Sequence, residues 1–185
     1  MVSSITLKNL IIGYRSKHQL RAIASPVHAS LQAGELICLI GANGLGKSTL
    51  LRTLAGFQPA LDGEILIQDK SLSDFSAQEL AREISIVLTS KTDHAQLSAE
   101  EIVGIGRSPY TGFWGTLSAA DKQIVASALQ KTGIQHLAQR NIRELSDGER
   151  QKVMIAKALA QQTRIIILDE PTAFLDFPSK IETLQ

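Results

Sequence analysis

The stretch from Gly41 to Ser48, GANGLGKS, fits G-x-x-x-x-G-K-[ST], and its flanks restrict the fold more than any other part of the chain. Ahead of it, Glu35-Leu36-Ile37-Cys38-Leu39-Ile40 is short, apolar and β-prone, which predicts a buried parallel strand. Behind it, Leu50, Leu51, Leu54 and Ala55 recur at helical spacing. Strand, glycine turn and helix form the setting in which this pattern cradles phosphate rather than simply reversing the chain. Gly41, Gly44 and Gly46 permit close approach of the backbone, and the loop N–H groups, including those of Asn43 and Leu45, face an anion at a helix N-terminus. Lys47 supplies a compact cation for β- and γ-phosphates, the Ser48 hydroxyl suits Mg²⁺, and Thr49 completes the candidate set.

The chain has 185 residues, enough for one domain with a substantial core. Its net charge of +1 offers no electrostatic case for nucleic acid, which calls for a strongly basic face. The single cysteine, Cys38, cannot form an internal disulfide, and its place in the apolar run predicts a buried, inert thiol. No apolar stretch approaches the roughly 20 residues needed to span a bilayer. The N-terminus lacks the charged and apolar regions of a signal peptide, so a cytoplasmic location is expected.

Residues 4–14, 63–68 and 84–88 read as strands and 76–83 as a helix with Ser76 as cap. From 90 to about 145 the pattern changes to short helices and polar turns. Ser98 with Glu101, and Ser118 with Asp121, predict two capped helices, the first running through Ile105. Between them lies an aromatic loop, Pro109-Tyr110-Thr111-Gly112-Phe113-Trp114-Gly115. A further helix over 148–161 places Val153, Ala156, Leu159 and Ala160 on one face. It leads to Ile165-Ile166-Ile167-Leu168, an apolar strand ending in Asp169-Glu170. Such a strand supplies what a phosphate loop needs opposite it: Asp169 to hold hydrated Mg²⁺ and Glu170 to polarise an attacking water.

Leu145-Ser146-Asp147-Gly148-Glu149-Arg150-Gln151, just upstream of that strand, resembles the LSGGQ signature of ATP-binding-cassette ATPases. In order with GANGLGKST and IIILDEP, the resemblance covers the whole chain. It implies an α/β fold, a P-loop NTPase core of the ABC-ATPase type with an antiparallel β subdomain and a helical insert. The implied divisions are 1–89 for the β subdomain and phosphate-loop part, 90–160 for the helical signature subdomain, and 161–185 for the acidic strand and the start of the C-terminal core. It also implies that Tyr14 stacks on adenine and that Leu175-Asp176 forms a loop crossing a dimer interface. Two chains would close head to tail around two ATP molecules, with Ser146, Asp147, Gly148 and Glu149 approaching the γ-phosphate in trans.

Three departures qualify that picture. Asp147 replaces the second glycine of the signature, a benign change if its carboxylate points away from phosphate. Thr89 stands where the family carries a metal-contacting glutamine, and a hydroxyl is shorter. The sequence also stops at Gln185, before the strand whose end bears the family's γ-phosphate histidine. A truncated chain that binds ATP but hydrolyses it poorly is therefore expected.

The segment EEIVGIGRSPYTGFWG over 100–115 resembles importer ATPases for iron–siderophore, haem and cobalamin uptake, where it lies near the groove that receives the permease. The implied partners are integral-membrane permease subunits and, indirectly, a substrate-binding protein, with the chain peripheral on the inner face of the membrane. Tyr110, Phe113 and Trp114 are open to two readings, a partner contact or packing within the helical part. The alternatives to an importer subunit are a soluble non-transport cassette ATPase and a nucleotide-binding fragment with weak hydrolysis.

Overall fold

A computed structural model describes residues 3–15, 19–88 and 96–171. They belong to two compact units, Met1–Leu80 and Ala81–Gln185.

The first unit is built on an antiparallel sheet in the order β4-β1-β5-β6: Val27–Gln32, Ser3–Ile11, Asp62–Ile67 and Lys70–Ser71. Alternation along β1 buries Ile5 and Leu7 and exposes Lys8, as the period of a half-buried strand demands. Register slips follow on both sides of β1, between Lys8 and Ile11 against β5 and between Leu7 and Leu10 against β4. Asn9 sits in this stretch at φ 48, a bulge that turns Leu10 inward to full burial. The expected strand over 4–14 is thus divided. Its end becomes a separate strand β2, Gly13–Arg15, paired with β3, Leu20–Ala22.

Helix α1, Lys47–Leu54, buries Thr49, Thr53 and Leu54, while Leu50 and Leu51 are only half-buried. The expected apolar stripe is therefore rotated toward the two threonines. The Thr53 hydroxyl is satisfied by donating to the Thr49 carbonyl at 2.8 Å.

The strand predicted over 35–40 does not form. Leu36 and Ile40 are 92% and 90% exposed, and Cys38, expected to be buried, is exposed as well. Apolar, β-prone composition is only half of what makes a strand; the other half is a ladder partner for each N–H and C=O. None of the strand pairings among the described residues includes this segment.

The second unit is mainly helical. Helix α2, Ala77–Glu83, runs across the division between the units and is capped as predicted: Ser76 Oγ accepts from the Glu79 N–H and the Glu79 carboxylate accepts from the Ser76 N–H. Strand β7, Ile84–Val87, pairs in parallel with β8, Ile165–Leu168, in register from Ile84↔Ile165 to Val87↔Leu168. Helices α3, Ala99–Ile105, and α4, Ala119–Lys131, begin at the two predicted capping boxes. With α5, Asp147–Ala160, they enclose a core that includes Ile102, Val103, Val125, Leu129, Val153 and Ala156. No helix among the described residues is long and apolar enough to cross a membrane.

Candidate functional site

In the first unit the loop over 41–46 delivers α1 with Gly46 as N-cap, at φ 91 and ψ 13. That left-handed geometry needs glycine twice over. It disfavours a side chain, and a Cβ there would lie 2.5 Å from Ile23 Cγ2. Lys47 therefore starts the helix with its ammonium folded over the loop, donating to the Gly41 carbonyl at 2.8 Å and the Ala42 carbonyl at 3.0 Å. Gly41, Asn43, Gly44 and Leu45 are exposed, Ser48 is half-buried, and Thr49 is buried on the inner side of α1.

Tyr14 is 54% exposed on β2, with its hydroxyl 3.2 Å from Thr49 Oγ1. The ring predicted to hold a base thus sits beside the helix predicted to hold the phosphates.

In the second unit Ser146 is the N-cap of α5, and Asp147, Gly148 and Glu149 form its first turn. Ser146 and Glu149 bond reciprocally. The Glu149 carboxylate accepts from the Ser146 N–H at 2.7 Å and from its hydroxyl at 2.8 Å, and Ser146 Oγ accepts from the Glu149 N–H at 3.3 Å. These bonds, the backbone N–H first, lower the Glu149 pKa. Asp147 Oδ1 accepts from the Arg150 guanidinium at 2.5 Å, so its charge is answered one turn along the helix. The reciprocal pattern at Ser146 is legible as S-x-x-E, the same spacing as the box at Ser98.

Asp169 follows β8 and is 4% exposed, its N–H donating to the Val87 carbonyl at 2.9 Å. Glu170 is exposed and has φ 48, a left-handed backbone uncommon for a residue with a side chain. Asp169 and Glu170 thus stand together at the end of the parallel pair. The phosphate loop and Tyr14 belong to one unit and the acidic and signature residues to the other. Thr89 and Asp176 lie outside the described residues.

Among the described residues no three His, Cys, Asp or Glu gather into a metal-holding group. Ser48 offers a hydroxyl in the first unit and Asp169 a carboxylate in the second, each an oxygen donor of the kind Mg²⁺ takes.

The aromatic loop resolves into two parts. Phe113 and Trp114 are 95% and 88% exposed and meet edge to face, centroids 5.5 Å apart, so neither packs the helical core. Tyr110 lies at the loop's root against two guanidinium groups, Arg107 at 4.1 Å and Arg82 at 5.4 Å from its ring centre. Arg107 and Arg82 were missed from sequence. Nothing local announces their hydrogen bonds, whose acceptors, Pro109 for Arg82 and Asp121, Ala160 and Gln162 for Arg107, lie at least 14 positions away.

A family model described as ABC transporter matches residues 24–173. The iron(3+)-hydroxamate import ATP-binding protein FhuC of Bacillus subtilis is 35% identical over 184 residues, all of this chain and 67% of that protein. An inward-facing putative metal-chelate type ABC transporter superposes with a TM-score of 0.82 at 29% identity, covering 100% of this chain and 66% of that one. A dimeric post-hydrolysis ATP-binding cassette bound to ADP and Pi superposes with a TM-score of 0.84 at 26% identity, covering 98% and 80%. The chain spans 59%, 66% and 67% of the length of three curated relatives it matches.

Proposed function

The chain belongs to the ATP-binding-cassette ATPases, and from that membership we propose that it is the ATP-binding and ATP-hydrolysing part of an importer subunit for iron–siderophore or related metal-chelate cargo. The observation that carries the proposal is the phosphate loop. A left-handed Gly46 places Lys47 at the first position of α1, its ammonium over the loop carbonyls and the loop residues exposed. A triphosphate entering there meets the loop N–H groups and a helix N-terminus, and it draws Lys47 from neutral carbonyls to charged oxygens.

Tyr14 supplies a flat, half-exposed face for the adenine. Ser48 and Asp169 are assigned to Mg²⁺, which neutralises charge on the β- and γ-phosphate oxygens when bound. Glu170 is assigned the general-base role: an exposed carboxylate next to the metal-holding one is placed to take a proton from water. Ser146 and the Gly148 N–H are assigned to the γ-phosphate of ATP bound by a second copy, head to tail. Asp147, paired with Arg150, leaves that approach without an unanswered carboxylate, and Glu149 holds Ser146 in place. Asp176 keeps the proposed dimer-interface role that the family resemblance gives it, and Thr89 is proposed at the metal-contact position with a side chain shorter than the family's glutamine.

The partner is an integral-membrane permease, which puts the chain on the inner face of the membrane with a substrate-binding protein acting indirectly. The exposed Phe113–Trp114 pair supports a protein contact, since adjacent bare aromatics are common anchors of interfaces. The relatives' names, among them an iron(3+)-hydroxamate import protein, support the cargo class.

Titrating MgATP into the parent chain, Lys47→Ala and Glu170→Gln by calorimetry, with turnover measured alongside, tests the reading. Lys47→Ala should lose binding. Glu170→Gln should keep binding, lose turnover and shift toward dimer in light scattering. Heat from Lys47→Ala equal to the parent's, or parental turnover by Glu170→Gln, overturns the corresponding assignment.

A further inference from the structure

Arg107 is 5% exposed, and its guanidinium is divided between α4 and the C-terminal end of α5. Its Nε donates to Asp121 Oδ1 at 2.8 Å on α4. One terminal nitrogen donates to the Ala160 carbonyl at 2.9 Å, at the end of α5, and to Gln162 Oε1 at 3.1 Å just beyond it. Its face lies 4.1 Å from the centre of the Tyr110 ring. Ala160 carries one of the last carbonyls of α5, which have no partner within the helix, and a cation is favoured at that negative end. Asp121 spends its other oxygen on the α4 cap, accepting from the Ser118 N–H at 3.0 Å and its hydroxyl at 2.6 Å. Neither partner in this pair is free to turn elsewhere.

The same guanidinium stands at the root of the aromatic loop. The Pro109 carbonyl accepts two bonds from Arg82, at 3.0 and 2.9 Å, and the Arg82 and Arg107 guanidinium groups lie 5.4 and 4.1 Å from the Tyr110 ring centre. Tyr110 is therefore tied to the C-terminal end of α5, the helix whose other end bears Ser146. A helix of 14 residues is ~21 Å long, so a tilt of about 3° at the Arg107 end moves the Ser146 end by about 1 Å. A misplacement of that size is enough to cost a large factor in a step that depends on geometry.

We infer that Arg107 is a positioning residue that couples the aromatic loop to the signature helix: seating of Tyr110, and with it Phe113 and Trp114, sets where α5 presents Ser146 to phosphate. The inference rests on the proposed role of Ser146. Coupling of this kind is reciprocal, so phosphate engagement at the signature end must be felt at the loop. Trp114, the chain's one tryptophan, stands 88% exposed beside Phe113 and reports it.

The test uses the full chain, Arg107→Lys and Gln162→Ala, each titrated with the Mg²⁺ complex of a non-hydrolysable ATP analogue while Trp114 emission is recorded. Binding stoichiometry is measured by calorimetry and steady-state turnover with MgATP. Lysine keeps the charge but cannot reach Asp121, Ala160 and Gln162 together while stacking flat on Tyr110. The parent should show a saturable change in emission. Arg107→Lys should keep the stoichiometry and its KM to within about twofold, lose most of the emission change, and lose roughly tenfold in kcat. Gln162→Ala should halve the emission change or more.

A purely structural role would lower the melting temperature yet leave the emission change intact in every molecule that binds. Parental emission change and kcat in Arg107→Lys overturn the inference; if that variant does not fold, an unaltered Gln162→Ala does so. Binding without any emission change in the parent overturns it too, leaving the nucleotide reading standing. Absence of binding in the parent sinks that reading and the inference together.

Discussion

Replacing Gly46 by alanine, with Gly44→Ala as its control, separates two costs that the phosphate loop combines. Both glycines are left-handed, at φ 91 and φ 83, so alanine at either site carries the same conformational penalty, roughly 1–2 kcal/mol. Their surroundings differ. Nothing lies within 4 Å of a Cβ at Gly44, whereas at Gly46 the new methyl would stand 2.5 Å from Ile23 Cγ2 and 3.6 Å from Ile12 Cδ1. Carbon atoms settle at about 3.5–4.0 Å, so the first contact is about 1 Å too close. Ile23 is held by its own N–H, which donates to the Ile12 carbonyl at 2.9 Å, and Ile12 is 2% exposed. Overpacking of this kind costs ~1–3 kcal/mol. Taking about 2 kcal/mol for it, Gly46→Ala should melt roughly 4–8 °C below Gly44→Ala. Adding Ile23→Ala removes the colliding methyl and should recover part of the loss, with a coupling of at least about 1 kcal/mol in the double-mutant cycle. The assay is calorimetric melting, without nucleotide, of five chains: the parent, Gly44→Ala, Gly46→Ala, Ile23→Ala and the Gly46→Ala/Ile23→Ala double variant. Equal melting of the two glycine variants, or additive effects of Ile23→Ala, refutes the steric part of the argument.

Two further outcomes follow from the helix starts. The Ser118 hydroxyl and then Arg107 hold the Asp121 carboxyl down to about 2 from an ordinary 3.8. Its folded value is depressed, so the stabilisation is complete above about pH 4 and fades as pH falls toward 2. Urea midpoints measured at pH 5 and pH 3 should fall further for the parent than for Asp121→Asn, and parallel losses would exclude Asp121 as the source. Ser146→Ala removes a hydroxyl that both donates to and accepts from Glu149, costing about 1 kcal/mol of helix capping. It should lower the melting temperature by only about 2–4 °C while cutting turnover much more and sparing nucleotide affinity. Turnover falling no more than the folded fraction would confine Ser146 to capping.

What could be read from the chain divides by the reach of the interaction. The boxes at Ser98 and Ser118 close within four residues, and both helices begin where the sequence places them. The glycine loop is similarly local, and its helix starts at Lys47. The run over 35–40 fails for the opposite reason, since its composition says strand but a strand is a property of two segments. Tyr14 meets Thr49 across 35 positions, and Arg107 meets Asp121, Ala160 and Gln162 across 14, 53 and 55. No periodicity encodes such pairs. Whether the loop aromatics pack or are presented depends on three-dimensional neighbours as well, and Phe113 and Trp114 are exposed.

The two groups assigned to the γ-phosphate share a feature that governs how tightly such a site can bind. Lys47 already donates to two carbonyls, and the Ser146 proton is already given to Glu149. At Ser146 phosphate therefore replaces an existing acceptor, and only the difference between the two bonds counts toward affinity; at Lys47 it takes the third N–H or displaces a carbonyl. For Lys47 the exchange is from neutral carbonyls to an anion and is strongly favourable. For Ser146 it is from one anion to another, and the gain is small unless Glu149 finds a new donor or gives up its charge. Its Ser146 N–H bond keeps the carboxylate ionised, which opposes the second route. The first site should thus hold nucleotide by itself, while the signature end engages weakly and reversibly. The head-to-tail closure on ATP proposed above, with reopening after hydrolysis, requires that asymmetry.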